Sequence, residues 1–317
     1  MLAALGAALC VPVAAHAQQY PSKPIRLIVP LAPGGGNDTI ARLIGAKISP
    51  MLGQQIVVEN RAGAGGLIAT ELAAKSPADG YTLLLGNVAV MTIIPNSQKK
   101  APYDPLKDFQ PVSLIASAPL LVVVHPSLPV SSIGQLIALA KARPGAINYA
   151  SNGIGSSTHL ATEMFSMMAG VKMVHVPYKG LSLAMTDLLS GQVPLMFSSA
   201  VAMLPHVKNS KLRAIAMTGA KRSPVLAEVP TVAEAGVKGY EAGSWYGIVA
   251  PAHTPRPIID RLNREIVAAV KSKELQDRLN HEAVTPVGNT PEEFSAHIKA
   301  EYERMARVMR EAKITLD

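Results

Sequence analysis

Eight short apolar runs rich in Ile, Val and Leu recur along the chain, at 25–30, 56–59, 81–85, 120–124, 147–150, 173–176, 193–197 and 212–217. Each has the length of a strand, and the stretches between them read as helices. After the first run, Ile40, Leu43, Ile44, Ile48, Met51 and Leu52 return at three- and four-residue spacing and predict one apolar helical face. This alternation predicts an α/β fold with mostly parallel sheets flanked by helices. Three helix starts are marked by capping boxes: Ser132 with Gln135, Thr231 with Glu234 and Thr290 with Glu293. Pro291 follows the last of these at the first helical position, where its missing N–H costs nothing. From there Phe294, Ile298, Tyr302, Met305 and Met309 form a stripe expected to dock the final helix on a domain surface.

Residues 1–17 contain no Lys, Arg, Asp or Glu, run apolar from Leu2 to Ala15 and close with Ala15-His16-Ala17, an A-x-A pattern. They read as an export signal cleaved after about Ala17. Cys10, the single cysteine, falls inside it, so the mature chain is expected to carry neither a disulfide nor thiolate chemistry. The longest later apolar stretch, 114–124, is interrupted by Pro119 and is short of the roughly 18 residues of a membrane helix. A length of 317 residues exceeds what one core usually serves and favours two domains. A hydrophobic content of 49% with 16% charged residues excludes disorder. The net charge of +8 is scattered, with no run beyond Lys99-Lys100 and Lys221-Arg222, which argues against nucleic acid and leaves small anions or a membrane surface as partners.

Two Gly-rich turns, one in each half, sit between a strand-like and a helix-like run: Pro33-Gly34-Gly35-Gly36-Asn37-Asp38, and Ser151 to Ser157, in which Asn152, Gly155 and Ser156 recur as candidates. Neither satisfies G-x-G-x-x-G/A, because Thr39 and Ile40 follow the first and Thr158 ends the second; neither supplies the lysine of a P-loop. What survives is a pair of helix N-termini whose backbone N–H groups favour an anion. No G-x-S-x-G elbow surrounds Ser156 or Ser157. His159 and Glu163 stand four residues apart and form either a helix-surface pair or half of a metal site that lacks its second cluster. Trp245, standing among glycines in Gly243-Ser244-Trp245-Tyr246-Gly247, is either a core residue or a wall of the ligand pocket.

Several stretches together resemble the Bug family, the periplasmic solute-binding proteins of tripartite tricarboxylate transporters. They are Pro33-Gly34-Gly35 with Asp38, the 58–66 segment V-E-N-R-A-G-A-G-G, the 78–84 segment A-D-G-Y-T-L-L, Gly155-Ser156 with His159-Leu160, Val176-Pro177-Tyr178-Lys179-Gly180, and Pro251 with Thr254-Pro255. The resemblance runs in order along about the whole mature chain. It implies a two-lobed type II periplasmic-binding-protein fold with a hinge between the lobes. The first lobe would comprise 18–122 and 223–317, with the second, 123–222, inserted. It further implies capture of a small carboxylate by 33–38 and 151–157, with Asn87 and Tyr178 as side walls, and delivery to permease subunits of the inner membrane. Family members often carry an Asp after the Phe of the strand equivalent to 193–197; Ser198 and Ser199 stand here, which favours a di- or tricarboxylate or an aromatic acid over an amino acid. A monomer that needs no cofactor or metal and performs no catalysis is expected. A ligand sensor docking on a signalling protein, and an exported metal-dependent enzyme using His159 and Glu163, remain as alternatives.

Overall fold

The computed structural model describes residues 20–31, 33, 36–97, 101–178, 181–281 and 284–311. Residues 1–17, read above as an export signal, with Cys10, and also Gly34, Gly35, Lys179 and Gly180 of the motifs above, lie outside the described residues.

The chain opens with β1 (Ile25–Val29), α1 (Gly36–Leu52), β2 (Ile56–Asn60), α2 (Leu67–Ala74) and β3 (Thr82–Asn87), and then a helical stretch of a π-turn (Ala89–Ile93) and α3 (Ile94–Ser97). The long β4 (Phe109–Val124) leads into α4 (Ile133–Ala142), β5 (Asn148–Ser151), α5 (Ser157–Ala169), β6 (Val174–Pro177), α6 (Leu181–Leu189), β7 (Leu195–Ser199), α7 (Ala200–Lys208) and β8 (Arg213–Met217). It closes with β9 (Gly243–Pro251), α8 (Arg256–Lys271), α9 (Lys273–His281), β10 (Thr285–Pro286) and α10 (Pro291–Glu311). All eight predicted runs are strands.

The strands form one curled sheet in two halves that share β4. In the first half β1 pairs parallel with β2 and β3, β9 inserts antiparallel between β3 and β4, and β10 joins β4 antiparallel. In the second half residues 120–124 of β4 pair antiparallel with β7 and β8, and β5 pairs parallel with β6 and β7. The α/β class therefore holds, but the expectation of mostly parallel sheets is corrected: pairing is parallel toward the outside and antiparallel at the centre. The reason is β4, which runs from one half into the other as a single strand and so needs no crossover helix.

Only 120–124 of β4 reads as a strand in the sequence. Pro111 and Pro119 break the pattern, and both sit where the ladder changes: a bulge falls between Pro111 and Ser113, and the pairing with β9 ends at Pro119. At this junction the buried Thr218 ties the crossing segments together. Its Oγ1 accepts from Leu120 N at 2.6 Å and donates to Ala242 O at 2.7 Å.

Thr290 and Glu293 exchange both bonds of a capping box at the start of α10. Thr231 and Glu234 do the same but close a turn, which ends at Gly236 with φ +115°. At α4, Ser132 caps Gln135 N while the Gln135 side chain reaches Ser131 N instead. Phe294, Ile298, Met305 and Met309 are buried as expected, and Glu301 and Val308 share that face, whereas Tyr302 is only half-buried. Among the described residues no helix is long and apolar enough to cross a membrane.

Candidate functional site

Four helical N-termini converge where the two halves of the sheet meet. From the first half come α1 and the helical stretch after β3; from the second come α5 and α7. They border a cleft of about 290 Å³ lined by Asn37, Asn87, Asn152, Gly155, Ser156, Ser157, Thr158, Ser198, Ser199, Ser244 and Tyr246, with Val88, Ala89, Leu120 and Ile93 among its apolar parts. That volume is at the small end for ligand sites, in keeping with a ligand of a few heavy atoms. No Lys, Arg, Asp or Glu is among the lining residues described. An anion there would meet dipoles and N–H groups in place of a counter-charge.

The side chains are oriented by their own local bonds. Asn87 Oδ1 accepts from Ala89 N at 2.9 Å and from Val90 N at 3.2 Å, capping the turn after β3. That fixes its amide, so Nδ2 donates to Asn37 Oδ1 at 2.6 Å. Asn37 Nδ2 is then turned out as a donor. Ser156 caps α5 by accepting from His159 N at 3.2 Å, and no side chain caps α7 at Ser199. Among the described residues Ser198 is buried with its Oγ unpartnered, and Asn152 Oδ1 is likewise without a partner. Unpaired buried polar atoms are costly, so orphans in a cleft mark where a ligand or water completes the bonding.

Asn37, Asn87, Asn152, Gly155, Ser156, Ser157 and Ser199 are thus brought together, with Asn37 of the first turn and residues 152 and 155–157 of the second lining one cleft. The other sequence candidates lie elsewhere. Pro33 is exposed outside the lining, and Gly36 opens α1 against the Tyr246 hydroxyl, which would stand 2.8 Å from any Cβ there. Asp38 is corrected from the cleft lining to a buried position on α1. There it pairs with Arg42 at 3.0 Å and lines a wider groove of about 670 Å³ with Lys47, Glu274 and Arg278. That groove is the larger opening, yet its charges largely answer one another, as in Lys47–Glu274 at 2.6 Å, which leaves little for a ligand to satisfy.

Ser151 is buried beneath the second turn with Oγ 2.6 Å from His175 Nε2. Tyr178 is turned toward α6, its hydroxyl donating to Asp187 at 2.6 Å, and does not line the cleft. Trp245 is corrected from pocket wall to core: it packs edge-on against Phe294 at 5.6 Å and His297 at 5.3 Å. Strand alternation sends its neighbours Ser244 and Tyr246 into the cleft instead, and these two escaped the sequence reading. His159 and Glu163 are not a surface pair. His159 is buried and its Nδ1 accepts from Gly155 N at 3.0 Å, whereas Glu163 takes the Tyr149 hydroxyl, whose pKa is raised by burial and by that carboxylate. Among the described residues no group of three or more His, Cys, Asp or Glu is placed to hold a metal.

Known proteins resemble this chain along most of its length. Residues 40–314 match the model of the tripartite tricarboxylate transporter family receptor, TctC. Protein BugT of Bordetella pertussis is 41% identical over 306 residues, covering 96% of this chain and 93% of the relative, which bears out the resemblance to the Bug family. Among solved structures, R. palustris Rpa4515 with adipate is similar at a TM-score of 0.78 and 39% identity, covering 93% of this chain and 99% of that one. MatC from Rhodopseudomonas palustris with bound malate gives 0.73 at 31% identity, covering 91% and 99%. This chain belongs to the tripartite tricarboxylate transporter receptor family.

Proposed function

We propose that the protein is an extracytoplasmic receptor that captures a small organic acid in this cleft and hands it to the permease subunits of a tripartite tricarboxylate-type transporter. The observation that carries the reading is the convergence of four helical N-termini on a cleft lined by Asn, Ser, Thr and Tyr, with no charged side chain among the described lining residues. A carboxylate is held there by partial charges and hydroxyls, which become stronger when water is excluded. Rpa4515 with adipate and MatC with malate support a ligand of the aliphatic dicarboxylate class.

Capture involves two lobes, 18–122 with 223–317 and the inserted 123–222, closing about the junction at Pro119–Leu120 and Thr218. Export to the periplasm and action as a monomer complete the reading. Ser198, with no negative charge beside it in the lining, gives an ammonium nothing to pair with and disfavours amino acids. Calorimetric titration with adipate, malate, an aromatic acid and glutamate tests this. Saturable binding of at least one of the first three, with glutamate weaker, is expected; silence across all three would overturn it.

A further inference from the structure

The turn that enters α5 is held from beneath by two imidazoles. Gly153 and Gly155 have φ of +127° and +73°, conformations that side-chain-bearing residues rarely adopt, so the turn needs outside support to keep one shape. At one end Ser151 Oγ accepts from Gly153 N at 3.1 Å and lies 2.6 Å from His175 Nε2. At the other, Gly155 N donates to His159 Nδ1 at 3.0 Å. The two rings are stacked, with centroids 3.8 Å apart and planes within 10°, and Tyr149 stacks on His175 at 5.0 Å. Neither imidazole lines the cleft, but Gly155 and its neighbours Ser156 and Ser157 do.

The bond to Gly155 N requires a His159 Nδ1 that carries no proton. A ring that gained one would oppose two donors and lose the bond. The titratable groups facing His159 are His175 from β6 and Tyr149 from β5. On its own helix Glu163 is engaged with Tyr149, and from α10 the Glu301–Arg304 pair packs where Ser157, Leu160 and Ala161 line a small crevice. Among the described residues no carboxylate is bonded to either imidazole, so an added proton finds no partner there.

We propose that His159, stacked on His175, is a positioning residue that fixes the α5 entry turn for the bound acid, and that protonating this stack releases the turn and weakens capture. The inference rests on the proposed site for its consequence, while the turn's order is readable without ligand. Burial, and then the neighbouring His175, lower the His159 pKa to about 4, so the stack is neutral at pH 7 and the loss sets in as pH falls toward that value.

The experiment compares the full chain with His159→Ala and His159→Asn; Asn keeps an acceptor near the Nδ1 position but cannot titrate. In the ligand-free protein, nitrogen-15 spectra should show the Nε2–H tautomer of His159. Gly155 amide exchange should be at least about tenfold faster in His159→Ala than in wild type or His159→Asn, the effect of losing one hydrogen bond near 1.4 kcal/mol. Between pH 7 and 4 the wild-type amide should lose protection while that of His159→Asn stays flat. Adipate affinity at pH 7 should fall about tenfold in His159→Ala and stay within about threefold in His159→Asn. The ratio of wild type to His159→Asn at each pH cancels titration of the acid itself. An Nδ1–H tautomer, a Gly155 amide indifferent to substitution, or identical pH profiles for wild type and His159→Asn would overturn the proposal. Should His159→Ala not fold, the tautomer and the wild-type against His159→Asn profiles decide it. Adipate silence with the amide and tautomer results intact would remove the receptor reading but not the positioning of the turn.

Discussion

Gly247→Ala isolates how tightly α10 is seated on the central strand. Gly247 lies in the middle of β9 and pairs with Gly86 on one side and Leu114 on the other. Its φ is not positive, so the backbone itself accepts alanine. A methyl built there would stand 2.6 Å from Cε1 and 3.0 Å from Cε2 of Phe294, and nearer still to Cζ, where ordinary contact is 3.4–4 Å. Phe294 is fully buried and makes the edge-on contact with Trp245, so its ring has no free direction in which to retreat. Overpacking costs about 1–3 kcal/mol and loss of the aromatic contact about 0.5–1.5, against about 0.4–1 regained by restricting the unfolded chain. A net loss of about 2–3 kcal/mol is expected. Urea unfolding followed by Trp245, the only tryptophan, and by far-ultraviolet circular dichroism measures it. Phe294→Ala alone should cost about 3–5 kcal/mol, and the double variant should cost at least about 1 kcal/mol less than the sum, because the new methyl occupies part of the vacated space. A single-variant loss under about 0.5 kcal/mol, or strict additivity, would refute the packing argument.

Other substitutions probe the cleft and the junction. Ser198→Ala should weaken the binding of an acid about two- to tenfold, and Ser198→Asp should abolish it by placing a carboxylate in the cleft; calorimetry distinguishes these from no effect. Thr218→Val keeps the shape but deprives Leu120 N and Ala242 O of a partner, a loss of about 1–3 kcal/mol in chemical denaturation. The His159 pKa is lowered below the unfolded value, so its contribution is complete above about pH 6.5 and is lost as pH falls toward 4. His175 and His297, also lowered by burial, add in the same direction. The urea midpoint should therefore drop between pH 7 and 5, with a shallower drop in His159→Asn.

The strands and the second Gly-rich turn are legible because their information is local: apolar runs of strand length, and a Gly-rich turn leading into a helix. Asn37 and Ser151 to Ser157 needed nothing more to be placed on candidate turns. The first part of β4 is illegible because Pro111 and Pro119 occur where a bulge and a change of partner tolerate them. β9 is hidden by Gly243 and Gly247, whose absent side chains answer Ala118, Pro119 and Phe294, residues far away along the chain. Had 243–247 been read as a strand, alternation alone would have sent Trp245 inward and Ser244 with Tyr246 to the opposite face. Asp38 misleads for a different reason: one helical step past Asn37 turns it away from the cleft and toward Arg42, and only packing decides which face is which. The use of His159 Nδ1 by Gly155 depends on a positive-φ turn that a residue pattern does not reveal.

The position of β9 between β3 and β4 also sets an order of assembly for a nascent chain. Strand edges of β3 and of the 109–119 stretch of β4 are made early, but the strand that joins them begins at residue 243 and β10 later still. Residues 120–217, by contrast, contain every strand of the second half in one contiguous segment. That segment is able to complete its pairing first, while the earlier strands wait with unpaired N–H and C=O groups along an apolar ribbon. Open edges of this kind template wrong partners. The interval between synthesis of 109–119 and arrival of β9 is therefore when this molecule is most exposed to aggregation, and the 109–119 ribbon is where a holding chaperone has most to protect.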